Sequence, residues 1–342
     1  MAGHKGMRRN MHIAVIGGSG FIGTVLTREL LAAGHDVKIL DISPSKDHPD
    51  IYEYADITSP ETLSGKLKDI DAIYLLAAAH RDDIFPRSIY YDVNVEGTKN
   101  IIAEAEKNNI KTIIFTSTVA VYGLDAGESK EKDTPAPFND YGESKLQAEN
   151  ALKDWAEKTG ARLVITRLVA TFGPGNRGNV FTLIDQISKG RFLMIGSGKN
   201  AKSVAYVGNV ARFLEHALKF SPTIHLYNYA DKPDMTMLNM VKTIRGKFGM
   251  SGPGFKVPYI IGITGGVFLD FLSKITGKSF PISAIRVRKF CSNTIVCCDK
   301  LQTETDFVPS HTLSQGLQDM IESDFPQHKT GNAAKNIKDN PS

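Results

Sequence analysis

Three cysteines in 342 residues, at 291, 297 and 298, are too few and too close together for a disulfide framework. They have no C-x-x-C spacing and no matching histidine, so no zinc or other metal site is expected. They are expected to stay reduced, which points to the cytoplasm. A long hydrophobic run is also missing. The most apolar window, 259–271, is about 13 residues long and contains Asp270, too short and too interrupted to span a bilayer. It is expected to be a core helix, with peripheral membrane contact or a partner surface as the alternative. No apolar leader precedes the first strand-like segment, so residues 1–10 do not read as a signal peptide; an expression leader and a natural start both stay open. There is no internal repeat. The net charge of +4 resides in the ends, +3 in residues 1–10 and +2 in 326–342, leaving the body at −1. No nucleic-acid footprint follows from such a body, and stable membrane insertion is not expected. The ends are expected to be flexible, the polar tail 326–342 for want of apolar residues.

What is present begins with glycine. The run Gly17-Gly18-Ser19-Gly20-Phe21-Ile22-Gly23 follows an apolar strand-like segment at 12–16 and opens a helical pattern over 21–33. Strand, glycine turn and helix together make a phosphate cradle. Gly17 can turn with positive φ, Gly20 lets the backbone approach a pyrophosphate, Gly23 lets the helix pack on the strand, and the helix N-terminus attracts the anion. A second segment, 36–40, ends on Asp41, about 20 residues beyond the glycines, where a carboxylate accepts hydrogen bonds from both hydroxyls of an adenosine ribose. Asp41 would repel a 2′-phosphate, so NAD is expected rather than NADP. Asp56-Ile57 follows a further short element, and the buried segment 71–76 runs into small residues up to Ala79, leaving space for a cofactor. Without the glycine turn, the alanines would be core filler and Asp56 a turn residue.

The first two strand-like segments are joined by others at 71–76, 111–116 and 163–168, alternating with helical patterns that include 90–107 and 141–158. That rhythm predicts an α/β fold, a Rossmann-type doubly wound parallel sheet. After Phe172-Gly173-Pro174-Gly175 the regularity loosens. A helix near 180–189, another at 207–219 and a strand at 225–230 suggest that the chain returns to the sheet and leaves it again. The expected division is a dinucleotide domain at 11–173 with a return segment at about 206–230, and a discontinuous substrate lobe from 174–205 and 231–325.

The chemistry sits in two later segments. Residues 114–123 read as a strand ending in the hydroxyls of Ser117 and Thr118, at the carboxyl edge of the sheet where ligands bind in such folds. Tyr141 and Lys145 follow, four apart on a helix and so on one face, which lets the ammonium approach the phenol. A phenol of pKa ~10 is a poor base at neutral pH, and lowering it by ~3 units needs ~4 kcal/mol of preferential phenolate stabilisation. Lys145 and a positive nicotinamide ring can supply it. Tyr141 would take a hydroxyl proton as hydride leaves the same carbon, while Thr118 holds the oxygen that changes from alcohol to ketone. Ser117 is adjacent and could share that role.

In order and spacing these motifs resemble the extended short-chain dehydrogenase/reductase family, in its nucleotide-sugar epimerase/dehydratase branch. The resemblance covers residues 11–325 and rests on the glycine turn, Asp41, Asp56-Ile57, Leu76-Ala77-Ala78, Asn94, the Ser117-Thr118 to Tyr122-Gly123 stretch, Tyr141 with Lys145, and Arg167 to Gly173-Pro174. It implies NAD held by Gly17, Gly20, Phe21, Ile22, Gly23, Asp41, Asp56, Ile57, Leu76, Ala77, Ala78, Asn94, Ser117, Tyr141 and Lys145. It further implies a Thr118-Tyr141-Lys145 triad and a nucleoside-diphosphate sugar in the C-terminal lobe. For that substrate it points to Thr118, Asn179, Lys202 and a cation among Arg286, Arg288 and Lys289, with Arg288 and Lys289 foremost. An N-cap role for Asn179 and a solvated edge for the basic cluster are the alternatives. A homodimer through the helices near 90–107 and 141–158 is implied as well.

Departures from the family pattern narrow the function. Its sugar 4,6-dehydratases place an acidic pair directly after the triad threonine, and its decarboxylases usually place a glutamate there. Val119 and Ala120 stand here, and neither can shuttle a proton. Ala170 replaces an asparagine of many sugar epimerases, and Asn209 replaces the aspartate of a V-x-D segment. The leading expectation is an isomerase, a C4 epimerase of a UDP-hexose or UDP-N-acetylhexosamine acting through a 4-keto intermediate. The alternatives are a nucleotide-sugar 4-ketoreductase of surface polysaccharide biosynthesis, a hydroxysteroid-type dehydrogenase, and a non-catalytic dinucleotide sensor. The intact Tyr141 and Lys145 argue against the last.

Overall fold

The computed structural model describes residues 10–81, 84–123, 127–276 and 283–326. The predicted flexible ends therefore lie outside the described residues, apart from Asn10 and Pro326. The first half of the chain runs β1 (His12–Ile16), α1 (Phe21–Ala32), β2 (Asp36–Asp41), β3 (Tyr52–Tyr54), β4 (Ala72–Leu75), α2 (Ser88–Tyr91), α3 (Gly97–Lys107), β5 (Thr112–Thr118), β6 (Glu128–Ser129), α4 (Asp140–Thr159) and β7 (Arg162–Leu168). It continues with β8 (Ala170–Phe172), α5 (Asn179–Ser188), β9 (Leu193–Ile195), β10 (Ala201–Lys202), β11 (Val204–Tyr206), α6 (Val207–His216) and β12 (Ile224–Tyr229). Last come β13 (Met235–Thr236), α7 (Met237–Lys247), β14 (Phe255–Val257), α8 (Tyr259–Thr276), α9 (Ala284–Cys291), β15 (Ile295–Val296), α10 (Asp299–Glu304) and α11 (Leu313–Asp324).

Seven of these strands form a parallel sheet in the order β12-β7-β5-β4-β1-β2-β3. Both faces are apolar because successive side chains alternate. In β1, Ile13 and Val15 meet α1 and α6 through Leu26, Leu30, Phe213 and Leu214, while Ala14 and Ile16 face the core that Ile101, Ala148, Leu152 and Trp155 of α3 and α4 fill. The order reverses between β1 and β4, so the glycine turn after β1 opens into a crevice at the carboxyl edge. A third cluster packs α5, α7 and α11 through Ile184, Ile187, Val241, Ile244, Leu317 and Met320. β12 rejoins the sheet beside β7, as the 225–230 pattern predicts.

Two elements differ from expectation. The helix expected over 90–107 is broken by a π-helical turn, Asp92–Glu96, before α3 begins. That turn holds Asn94, which is buried, and such wide turns are frequent at functional sites. The 259–271 window is helical, as α8, but it is not a core helix. Ile260, Ile261, Val267, Phe268 and Phe271 are all exposed. The reason lies in its glycines: Gly262 and Gly266 take the buried side, where there is no room for a Cβ. Among the described residues no helix is long and apolar enough to cross a membrane, and no three His, Cys, Asp or Glu side chains are grouped to hold a metal.

Candidate active site

The glycine turn is too tight for side chains. Gly17 has φ +85°, and a Cβ on it would lie 2.5 Å from the Ala77 nitrogen. A Cβ on Gly23 would lie 2.3 Å from the Gly17 carbonyl oxygen. The Leu76 and Ala77 amides both donate to the Ile16 carbonyl, at 2.9 and 3.0 Å, so the end of β4 is drawn against the turn. Gly20 is the N-cap of α1, and this terminus has neither a capping side chain nor an acid in its first turn. Its free amides and positive dipole end are therefore left for an anion. Phe21 and Ile22 begin that turn, and their side chains pack against the α5-α7-α11 core. This cradle fits a dinucleotide pyrophosphate.

Asp41, ending β2, has one carboxylate oxygen accepting the Ser19 N–H and the other the Ser43 N–H, each at 3.0 Å. A carboxylate has about four acceptor positions, so capacity remains for two ribose hydroxyls. Asp56 accepts the Thr58 N–H and hydroxyl at 2.9 and 2.7 Å. The Ile57 side chain is buried against Gly97, where a Cβ would lie 2.6 Å from its Cδ1. Asn94 is used entirely by protein: its oxygen accepts the Ala79 N–H, and its amide nitrogen donates to the Ala79 carbonyl and to Ser144 Oγ. It anchors the segment after Leu76-Ala77-Ala78 to α4, a positioning role.

Thr118 ends β5 and caps a 3-10 turn, Val119–Tyr122, its Oγ1 accepting the Ala120 N–H at 3.2 Å. α4 is held against this turn. Asn139 caps α4 by accepting the Gly142 N–H, and a Cβ on Gly142 would lie 2.7 Å from the Ala120 carbonyl oxygen. Glycine at 142 thus lets the first turn of α4, which carries Tyr141, pack against the 3-10 turn that Thr118 caps. Lys145 follows one turn later with its ammonium 3.9 Å above the Phe115 ring, and the residue is only 2% exposed. Burial pushes its pKa down to about 7, against the opposing pull of the Glu149 carboxylate.

The expectation that Ser117 could share the Thr118 role meets one observation: its hydroxyl donates to Glu149 Oε1 at 2.6 Å, so its proton is committed to that buried carboxylate. Glu149 also receives Arg167 Nε and Nη2 at 2.9 and 2.7 Å. Arg167 stands opposite Ser117 in the β5-β7 register and lies over the Tyr122 ring, 4.8 Å from its centre. Burial acts to lower the Arg167 pKa, but its bonds and charge attraction to Glu149, with Tyr122, outweigh that and hold it above its ordinary value. This buried pair was not singled out from sequence, although Glu149 lies four residues beyond Lys145 on the same helix face.

Of the residues expected to meet the substrate, the structure brings some together. Arg288 lines a cleft of about 310 Å³ with Ile195, Ser197, Asn200, Tyr259 and Cys291. Lys202 adjoins this corner, its Nζ 3.2 Å from Thr294 Oγ1, and burial lowers its pKa, with neighbouring Cys291 acting in the opposite direction. Arg286 is exposed on the same helix. The Lys289 side chain lies outside the described residues. Asn179 is exposed as the first residue of α5, whose N-cap is Gly178 with no side-chain cap, so the N-cap alternative does not hold. Asn209 is buried, donating to the His311 carbonyl while accepting the Ser310 and His311 N–H groups. An ionised aspartate could not make that donation. Ala170 is exposed on β8.

Comparison with known proteins agrees with this arrangement. Residues 13–230 match the model of the NAD dependent epimerase/dehydratase family. The chain is 44% identical over 323 residues to N-acetyl-alpha-D-glucosaminyl-diphospho-ditrans,octacis-undecaprenol 4-epimerase of Escherichia coli O157:H7, covering 94% of this chain and 97% of the relative. It is 28% identical over 317 residues to UDP-glucose 4-epimerase of Vibrio cholerae, covering 90% and 93%. The fold matches the crystal structure of UDP-glucuronic acid 4-epimerase from Bacillus cereus in complex with NAD, with TM-score 0.73 and 21% identity over 93% of this chain and 100% of that one. From the glycine cradle, the Asp41 carboxylate and these matches, the chain belongs to the NAD-dependent epimerase/dehydratase family, and its cofactor is NAD.

Proposed function

We propose that the protein is a 4-epimerase of an N-acetylhexosamine carried on a diphosphate, with polyprenyl diphosphate as the carrier and a UDP-sugar as the second candidate. The observation that carries this reading is the 44% identity to the Escherichia coli epimerase, which extends over nearly the full length of both chains. The UDP alternative follows from the more distant UDP-glucose 4-epimerase. NAD, when bound, would supply the hydride acceptor and donor for oxidation and re-reduction at the sugar C4. In this reading Tyr141 takes the C4 hydroxyl proton and later gives it back, Thr118 holds that oxygen, and Lys145 favours the phenolate and holds the nicotinamide ribose. Val119 and Ala120 supply no acid for loss of water, so the intermediate goes back to sugar.

The cofactor is assigned to residues 11–173 with the return segment 206–230, and the sugar diphosphate to 174–205 and 231–325 with Asn179, Lys202 and Arg288. A homodimer through the outer faces of α3 and α4, working in the cytoplasm, completes the proposal. The test is to give the purified protein GlcNAc-diphospho-undecaprenol and, separately, UDP-GlcNAc, and to separate the released sugars. The expected result is the 4-epimer from the lipid-linked sugar, approached from either direction, without build-up of the NADH absorbance band. Stoichiometric NAD(P)H consumption with a 4-keto sugar, and no epimer from any 4-hydroxy sugar, would transfer the assignment to a ketoreductase.

A further inference from the structure

α8 is built inside out. At about 100° per residue, Gly262, Gly266, Asp270 and Ser273 fall on one side, and Ile260, Val267, Phe268, Phe271 and Ile275 on the other. The first side faces the protein. A Cβ on Gly262 would lie 2.4 Å from Ile195 Cγ2, one on Gly266 would lie 2.7 Å from the Ala284 nitrogen, and Asp270 Oδ2 accepts the Ala284 N–H at 2.9 Å. The apolar side faces outward, with those five residues 57% to 72% exposed. A helix packed on a water-soluble body turns its apolar stripe inward, so this face is made for a different medium. Phe255 and Leu193, paired in register on β14 and β9, add exposed apolar side chains just ahead of it.

Charge identifies the medium. Residues 235–298 contain nine lysines and arginines and a single acid, Asp270, a net of +8 in a chain whose total is +4. Lys256 on β14 and Arg286 and Arg288 on α9 are exposed on the segments flanking α8. A second copy of the chain seated on this face by a two-fold contact would set these flanking cations against like charges. An anionic lipid surface supplies both the apolar layer and the opposite charge. With 18 residues, α8 is about 27 Å long and suits a position lying within the interface.

We propose that the outward face of α8 seats the protein on an anionic bilayer, with Lys256 and Arg286 at the headgroups and Arg288 left to the cleft. Tyr259 begins α8 and lines the Arg288 cleft, so a diphosphate in that cleft sits beside the lipid surface, and a polyprenyl tail need not leave the bilayer. The seating stands on α8 alone; only the route of the tail rests on the function proposed above.

The test uses the full chain with its NAD and sedimentation with phosphatidylcholine vesicles, with and without phosphatidylglycerol. The wild type is expected to sediment with the anionic vesicles and to be released by salt. A Phe268→Ser/Phe271→Ser double variant is expected to partition at least roughly tenfold less, while epimerising water-soluble UDP-GlcNAc or a short-chain diphosphate analogue at the wild-type rate. Equal sedimentation of variant and wild type, or none by either, overturns the proposal. So does a wild-type dimer that the double variant turns into a monomer without any vesicle binding, since the face then belongs to a second copy. Vesicle binding by a protein that epimerises UDP-sugars alone leaves the seating standing and removes the polyprenyl carrier.

Discussion

Lys145 is a cation held where water cannot reach it, and its ordinary pKa near 10.5 falls to about 7. Between those values the unfolded chain binds more protons than the folded one, so stability of the cofactor-free protein should rise with pH across that window. Thermal midpoints at pH 6 and pH 9 are expected to differ less in Lys145→Met than in wild type, and an unchanged difference would mean that the ammonium is not the source. Lys145→Met is also expected to weaken both turnover and NAD binding. Tyr141→Phe should lower turnover by at least about 10²-fold while NAD affinity stays within several-fold, because the ring remains and only the proton acceptor goes. Asp41→Asn is expected to narrow the preference for NAD over NADP, measured by competition binding, by removing repulsion of the 2′-phosphate. These three residues stand out in the sequence because each belongs to a short motif with fixed spacing. The commitment of Ser117 to Glu149 was not legible, since adjacent strand residues face opposite sides and the sequence does not say which hydroxyl meets α4.

Between elements, the contact of α4 with the turn after β5 sets where Tyr141 stands relative to the turn that Thr118 caps. Gly142→Ala would place a methyl group 2.7 Å from the Ala120 oxygen, and the helix would have to retreat. Turnover is expected to fall while cofactor affinity changes little, a split that steady-state kinetics and NAD titration would separate. Behind this contact, Glu149→Ala would leave Arg167 charged and buried without its partner. Such a loss costs about 3–5 kcal/mol, to be read as a lower urea midpoint. The α4 helix itself was legible from local periodicity, but its ion pair with β7 depends on how a helix docks across a sheet. No single-element pattern encodes that docking. The π turn holding Asn94 escaped for a related reason, since one extra residue in a helix hardly disturbs the apolar spacing.

For the whole molecule, alternation of strands and helices was enough to predict the parallel sheet, including the late return of the chain as β12. The composition of 259–271 was misleading because apolar content does not say which side of a helix is covered. Only the inward position of Gly262 and Gly266 separates a core helix from one turned toward solvent. The late position of β12 has a consequence for synthesis. β12 pairs with β7 along its full length, Ile224 with Leu163 through Tyr229 with Leu168. About 60 residues separate the two strand ends, so β7 waits roughly 3–12 s at ribosomal speed for its outer neighbour. During that interval its backbone donors and acceptors form an open sheet edge, the kind on which other chains add. Chains released at residue 223 are expected to collect in the insoluble fraction, whereas chains that include β12 have the β7 edge paired, and slower translation is expected to lower the soluble yield by lengthening that exposure.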